Sequence, residues 1–505
     1  MKHAVGDRHY EVAIVGAGIA GMATALRLQM AGLRTVVLEA HSKIGGCAGY
    51  FRRRGFSFDV GATTLVDFSP DGVSHDILEA IGIENFCAQS EVLPGYVAWL
   101  PDRKVTLHRE IELWSKERLK QLGASPAHQQ FWSLIDHLAS IFWKATRKGI
   151  KLPIQSPQDI LRNIHAIGLT NLSFARYLTW TMGDALRSHG LREDKPLVGL
   201  LSMLIEDTVH STVDEAPLIN AALGVTIRGA GLTRHFGGMR GFWESFLSAY
   251  RSAGGEIYFN HQVQDIQGQH GRFHITAQRS DRQQVHITAG QIVNGIPISA
   301  LEKLAPQIIG KRLQRKIQRD ADHLGGAIVV FLGVRDEEVN EQEFTHHQLL
   351  QDYDAPLGNG NNMFISVSSQ DDVLSAPPHH RAVMISTHCN LDEWNDLSEA
   401  EYQHKKCEVG ERLIHFARRV YPCLGERPLV YKVGTPRTYA DFALRPQGAV
   451  GGVRQTRFNS NQFAVPHNIG IEGFWLVGDS TFPGLGTVAG VLGSRIVTEG
   501  VLKNV

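Results

Sequence analysis

Apolar and polar positions along this chain fall into blocks that read as strand, glycine turn and helix. Glu11 to Val15 is a short apolar run of the buried-strand kind, Met22 to Met30 has helical spacing, and Thr35 to Leu38 is apolar and β-branched again. The same order recurs near the other end, where Gly473 to Gly478 reads as a strand ending in glycine. A turn of small residues there leads into a helix over Val488 to Val501. Between these ends, Gly237 to Gly241 precedes an amphipathic stretch, Phe242 to Ala253, and Gly254-Gly255 then opens a strand that reaches Val263. Gln291 to Pro297 reads either as a returning strand of the same sheet or as a plain core strand. Leu324 to Gly333 and Leu429 to Val433 are apolar, β-branched and bounded by turn formers, which predicts strands of a second unit. The predicted class is α/β.

The first turn, Gly16-Ala17-Gly18-Ile19-Ala20-Gly21, has the spacing a dinucleotide site requires. Gly16 makes the tight turn, Gly18 lets backbone approach a pyrophosphate, and Gly21 lets helix and strand pack closely. The helix N-terminus then faces the phosphates. Glu39 closes the second strand where a carboxylate hydrogen-bonds a ribose 2′-hydroxyl, which disfavours NADP. A second glycine pair, Gly45-Gly46, follows, then Arg52-Arg53-Arg54 and Gly55-Phe-Ser-Phe-Asp59-Val-Gly61. A simple NAD domain has no reason to place that pair there. Asp479, taken alone, reads as a turn aspartate or N-cap; together with the N-terminal pocket it becomes a ligand candidate.

Composition narrows the class. The 505 residues are 43% hydrophobic and 20% charged, which is globular, and the length allows two to four domains. Lys+Arg and Asp+Glu are both 51, and a net charge of zero argues against nucleic acid as a partner. The five cysteines, Cys47, Cys87, Cys389, Cys407 and Cys423, never form a CxxC spacing, so neither a zinc site nor a disulfide framework is expected. Met1 to Tyr10 is polar and does not read as a signal peptide, and no apolar run reaches the ~18 residues of a membrane span. The expected location is cytoplasmic, peripheral on the membrane.

These motifs resemble the FAD-dependent amine oxidase superfamily and, within it, the carotenoid desaturase and isomerase branch. The likeness is carried by the N-terminal glycines, Glu39, the Gly55 to Gly61 segment and Leu476-Val-Gly478-Asp479-Ser-Thr-Phe-Pro483-Gly484-Leu-Gly486-Thr487. Cys47 stands where many superfamily members have arginine, which weakens an amine-oxidase reading. Val433-Gly-Thr-Pro436-Arg437-Thr438 and Arg445-Pro446-Gln447-Gly448-Ala-Val-Gly451-Gly452 are similar to cyanobacterial-type carotenoid 3′,4′-desaturases. The resemblance implies a discontinuous Rossmann-like FAD-binding domain, from 1–95, 225–300 and 455–505, with an α+β substrate domain from 96–224 and 301–454. It implies FAD held by Gly16, Gly18, Ala20, Gly21, Glu39, Gly45, Gly46, Gly61, Val263, Gly478, Asp479, Gly486, Thr487 and Val488.

The chemistry implied is hydride loss from a long apolar polyene to the flavin, with quinone or oxygen as the final electron acceptor; orientation is then the protein's contribution. A redox-neutral isomerase or a saturase is the second reading, and a non-catalytic carrier of FAD or a prenyl lipid the third. No Ser-His-Asp or Cys-His constellation stands out, and the catalytic residues are left unknown. Glu206, Asp207, His210 and Glu215 are candidate proton acceptors, each weighed against a cap or core role; His346-His347 lacks a third ligand at metal spacing. Aromatic and basic residues between Phe131 and Met182, including Trp132, Ile141, Phe142, Trp143, Arg147 and Lys148, suggest either an interfacial helix on anionic lipid or a lid with a solvated basic face.

Overall fold

The computed structural model describes residues 9–504; the polar segment before His9 lies outside them. Two seven-stranded sheets organise the chain. In the first, five strands run parallel in the order Glu256–Tyr258, Thr35–Leu38, His9–Val15, Gln284–Asn294, Phe474–Leu476. Gln284–Asn294 is long enough to serve twice: its second half pairs with Phe474–Leu476, and its first half pairs antiparallel with Arg272–Arg279, which continues to His261–Gln269. The parallel strands are buried runs such as Val12 to Val15 and Val36 to Leu38, as a sheet covered on both faces requires. Their carboxyl ends share one edge, where open α/β sheets bind ligands.

The stretch from Gly254 to Val263 was expected to be one strand and is two. Asn260 takes a left-handed φ of 58°, and the chain breaks there into Glu256–Tyr258 and His261–Gln269, which pair with different partners. Asparagine tolerates that conformation, so composition gave little warning.

The second sheet runs Val430–Gly434, Gly326–Arg335, His380–Cys389, Asn362–Val367, His346–Leu350, Gly95–Trp99, Lys104–His108. It is antiparallel except where His346–Leu350 meets Gly95–Trp99. Helix Lys195–Val209 packs on it, Leu218–Val225 packs on that helix and Pro126–Arg147 on Leu218–Val225, and their apolar faces join the core of the first sheet's helices. Phe131, Trp132, Ile141 and Phe142, expected at a lipid surface or a lid, belong to this core and are at most 7% exposed. Helix Pro126–Arg147 has two neighbours to cover, so its aromatic stripe faces protein.

Both chain ends meet. The first helix, Ile19–Met30, packs along the C-terminal helix, Thr487–Leu502, where Gly490 leaves room: a Cβ there would stand 2.8 Å from Ile19 Cγ2. Buried Arg27 ties the pair, donating to the Val491 carbonyl at 2.7 Å and to Asp76 at 2.6 Å.

Candidate functional site

A cavity of about 1350 Å³ opens at the carboxyl edge of the parallel strands and extends under the second sheet. Gly16, Gly18, Ala20 and Glu39 line it from the N-terminal unit, Gly45, Gly46 and Gly61 from the next segment, and Val263 from the strand His261–Gln269. Gly478, Asp479, Gly486 and Thr487 line it from the far end of the sequence. Two expected positions, Gly21 and Val488, are not on its wall. Gly21 acts one layer back, where a Cβ would stand 2.3 Å from the Gly16 carbonyl oxygen, so it allows close packing of helix on strand. Val488, in the first turn of the C-terminal helix, packs against the core.

The glycine turn has the geometry that its spacing implied. Gly16 takes φ 93° and its N–H donates to the Leu38 carbonyl at 2.8 Å, joining the first two strands at their ends. At Gly18 φ is ordinary, and a Cβ would meet no protein atom within 4 Å; it would project into open space on the cavity wall. Gly45 lies against this turn, its N–H donating to the Ala17 carbonyl at 2.9 Å, in a left-handed conformation with φ 121°. A side chain at Gly45 would strike Gly49 and the Trp243 indole. The second glycine pair is therefore the inner wall of the first turn.

Glu39 sits beside them. Its carboxylate accepts from the Ala17 N–H at 2.7 Å and from the His41 N–H at 2.8 Å. Burial raises its pKa above the ordinary carboxylate value against those two bonds, so the acid is held at the cavity edge in a partly desolvated place.

Two helix N-termini open into the same space. Ile19–Met30 begins after Gly18 and Thr487–Leu502 after Gly486, and neither has a side-chain cap. Each leaves first-turn amides and a positive pole available to an anionic or electron-rich ligand.

Asp479 is engaged with a partner that sequence reasoning missed as a site residue. Arg445, from the Arg445-Pro446 motif, donates through Nη2 to Asp479 Oδ2 at 2.8 Å and through Nε to the Ala449 carbonyl at 2.9 Å. Burial opposes charge on Arg445, yet Asp479 beside it outweighs that and holds its pKa above the usual guanidinium value. Cys47 lines the same corner, and burial pushes its thiol pKa up, so it is a neutral neighbour and no reactive thiolate.

The half of the cavity under the second sheet has aliphatic and aromatic walls, among them Ala327, Val329, Phe331 and Phe364. A compact polar group interrupts them. Asp207 and His210 from the end of helix Lys195–Val209 meet Gln348, Asn362 and His388 from three strands of the second sheet. Glu206 lies behind: it accepts from Asn362 Nδ2 and faces His388 Nδ1 at 3.4 Å. Of the four candidate proton acceptors, Asp207 and His210 line the cavity, Glu206 holds Asn362 and His388 from behind, and Glu215 is elsewhere, paired with Arg454 at 3.2 Å. His388 carried no signal in sequence, because a lone histidine at the end of a strand has no recognisable spacing.

His346 and His347 are structural. The His346 ring stacks on Tyr96 at 4.9 Å, while His347 is held between Trp99, Tyr421 and the Phe344 carbonyl. Among the described residues no helix is long and apolar enough to cross a membrane.

With this geometry in view, similarity to known proteins can be placed on it. A family model described as an NAD(P)-binding Rossmann-like domain matches residues 14–81. The chloroplastic prolycopene isomerase of Daucus carota is 26% identical over 501 residues, covering 96% of this chain and 78% of that protein. The lycopene-forming phytoene desaturase of Pantoea ananas is 23% identical over 515 residues, covering 97% and 98%. Cyclohexylamine oxidase from Brevibacterium oxydans superposes with a TM-score of 0.62 at 15% identity, covering 98% of this chain and 99% of that one, a likeness of fold. The chain is a homologue of the carotenoid isomerase and desaturase enzymes, built on a fold shared with an amine oxidase.

Proposed function

We propose that this chain is an FAD-dependent oxidoreductase that desaturates a carotenoid or related long apolar polyene. One observation carries the reading: two uncapped helix N-termini, from opposite ends of the chain, open onto a single cavity that continues between apolar walls. The residues present fit the cofactor. The Gly18 wall leaves a space that a Cβ would fill, Glu39 offers a carboxylate to a ribose, and the amides before Ile19 and Thr487 offer donors to a pyrophosphate and a flavin ring. A bound flavin supplies hydride acceptance. The chain's own part is to align an apolar substrate along Val329, Phe331 and Phe364, keep water away, and neutralise Asp479 through Arg445 so that no bare carboxylate repels the phosphates.

Isomerisation of the same substrate class is the second reading, favoured by the isomerase relatives. Peripheral contact with the membrane's cytoplasmic face and reoxidation by quinone or oxygen complete the proposal. Support for lipid contact comes from exposed apolar side chains in two segments, Leu161, Leu169, Leu172 and Leu178 in one and Phe458 and Phe463 in the other, which meet where Arg457 Nη1 donates to the Thr179 carbonyl at 3.3 Å; the second segment adjoins the basic helix Lys311–Asp320. Lys316 and Arg319 of that helix donate to the carbonyls of Phe463 and Phe458, which places positive charge next to the apolar group.

Expression in cells that accumulate lycopene or γ-carotene tests the activity. A red-shifted product two hydrogens lighter is expected for desaturation, and a changed isomer pattern at constant mass would establish isomerisation. Unchanged pigment, from protein shown to carry flavin, would overturn both.

A further inference from the structure

The polar group in the second half of the cavity poses a physical problem. A hydrocarbon offers no hydrogen bond, and each buried polar group left facing it costs about 1–3 kcal/mol. Even so, Asp207, Gln348, Asn362 and His388 converge there from one helix and three strands. Asp207 is exposed and forms part of the cavity wall. One carboxylate oxygen accepts from Gln348 Nε2 at 3.1 Å, and Gln348 Oε1 in turn faces Arg228 Nη2 at 3.4 Å.

The group also borders the corner holding Asp479. A Cβ on Gly451 would stand 2.1 Å from the His210 ring, and one on Gly452 would stand 2.9 Å from Asp479 Cβ, so those two glycines are the thin partition between them. We propose that Asp207 is the proton acceptor of the reaction and that His388, braced by Glu206, is the positioning residue that holds its charge. The inference rests on the functional reading above and deepens it.

In the step assigned to Asp207, a C–H bond next to the cationic carbon breaks and its electron pair becomes the new C=C. The proton forms an O–H bond on the Asp207 carboxylate, and the hydride lost from the neighbouring carbon goes to the flavin oxidant of the preceding reading. Burial raises the pKa of Asp207, with Arg228 and His388 lowering it and Glu206 raising it further; the Gln348 amide adds a stabilising bond, and Tyr96 is a further titratable neighbour. A carboxylate shifted upward is a stronger base in its ionised form. Burial also opposes charge on His388, yet Glu206 and Asp207 outweigh it and raise its pKa above the usual imidazole value, while the adjoining His210 is kept neutral by burial and by His388. The carboxylates of Glu206 and Asp207 thus favour the charged form of His388.

The test uses the purified flavoprotein with lycopene in phosphatidylglycerol vesicles, measuring product per bound flavin across the neutral pH range, with flavin content and urea midpoint as controls. Asp207→Asn should keep flavin and fold and lose about 100-fold or more in rate. Asp207→Glu should recover part of that loss, and His388→Gln should move the acid limb of the profile to higher pH. An infrared pH titration should show a protonated-carboxyl band in the wild type that Asp207→Asn lacks. An Asp207→Asn protein with normal flavin and a rate within about threefold of wild type overturns the assignment and leaves the functional reading standing. Wild-type protein that binds no flavin, or leaves the polyene unchanged, overturns the functional reading and the acceptor with it.

Discussion

Arg445 and Asp479 form a partly buried ion pair across the cavity corner, Nη2 to Oδ2 at 2.8 Å, with side chains 11% and 22% exposed. Removing the arginine leaves a carboxylate in a poorly hydrated place. Arg445→Ala is expected to cost about 3 kcal/mol, read as a lower urea midpoint, and to weaken flavin retention. Adding Asp479→Asn to that variant should restore most of the midpoint, because no uncompensated charge remains; a double variant no more stable than the single one would refute the pairing as the cause.

Gly18 and Gly21 separate binding from folding. A Cβ at Gly18 meets no protein atom within 4 Å, whereas one at Gly21 meets the Gly16 carbonyl at 2.3 Å. Gly18→Val should therefore fold normally and purify colourless. Gly21→Val should lose about 1–3 kcal/mol or more through overpacking and be recovered mainly as insoluble protein. Visible absorbance and circular dichroism of the two, side by side, decide the point.

His347 couples stability to pH. Its Nδ1 accepts from the Trp99 indole N–H at 3.2 Å, so the neutral ring donates from Nε2 to the Phe344 carbonyl at 2.8 Å. Burial lowers its pKa to about 4. An unfolded histidine titrates near ~6.5, so the folded value is depressed: the contribution is present above that pH and is lost as pH falls toward the folded value, about 3 kcal/mol in all. His347→Phe should be less stable at neutral pH and show a shallower fall in urea midpoint on acidification. Parallel profiles for variant and wild type would show that His347 does not couple to pH.

The lipid contact proposed above lies away from the aromatic run that first suggested it. Trp143 is half-buried and its indole donates to Thr226 at 3.2 Å, so changing it probes folding. Leu169 and Phe458 are 73% and 67% exposed. Leu169→Asp with Phe458→Asp, or Lys311→Glu with Arg315→Glu, should each reduce flotation with anionic vesicles about tenfold, since each basic residue near such a surface contributes about 1 kcal/mol. Equal flotation of wild type and both variants excludes this surface.

The nucleotide-binding half was legible in sequence because its signals are local. A glycine that needs positive φ at Gly16, a helix that needs Gly21 and an acid at the end of the second strand all follow from backbone sterics over a few residues. The buried strands Val12 to Val15 and Val36 to Leu38 declared themselves by uniform apolarity in the same way.

Other features depend on which surfaces meet, and no short segment encodes that. The aromatic stripe of helix Pro126–Arg147 reads the same facing lipid or protein until neighbouring helices cover it. Arg445 reaches Asp479 across 34 residues, and His388, on a strand of the second sheet, meets Glu206 on helix Lys195–Val209. By itself the sequence determined the α/β class, the glycine turn and the family likeness, because sterics and periodicity act between near neighbours. Only tertiary packing decided which buried charges are paired, which apolar faces remain bare and which polar side chains share the cavity, because desolvation and ion pairing depend on distance in space.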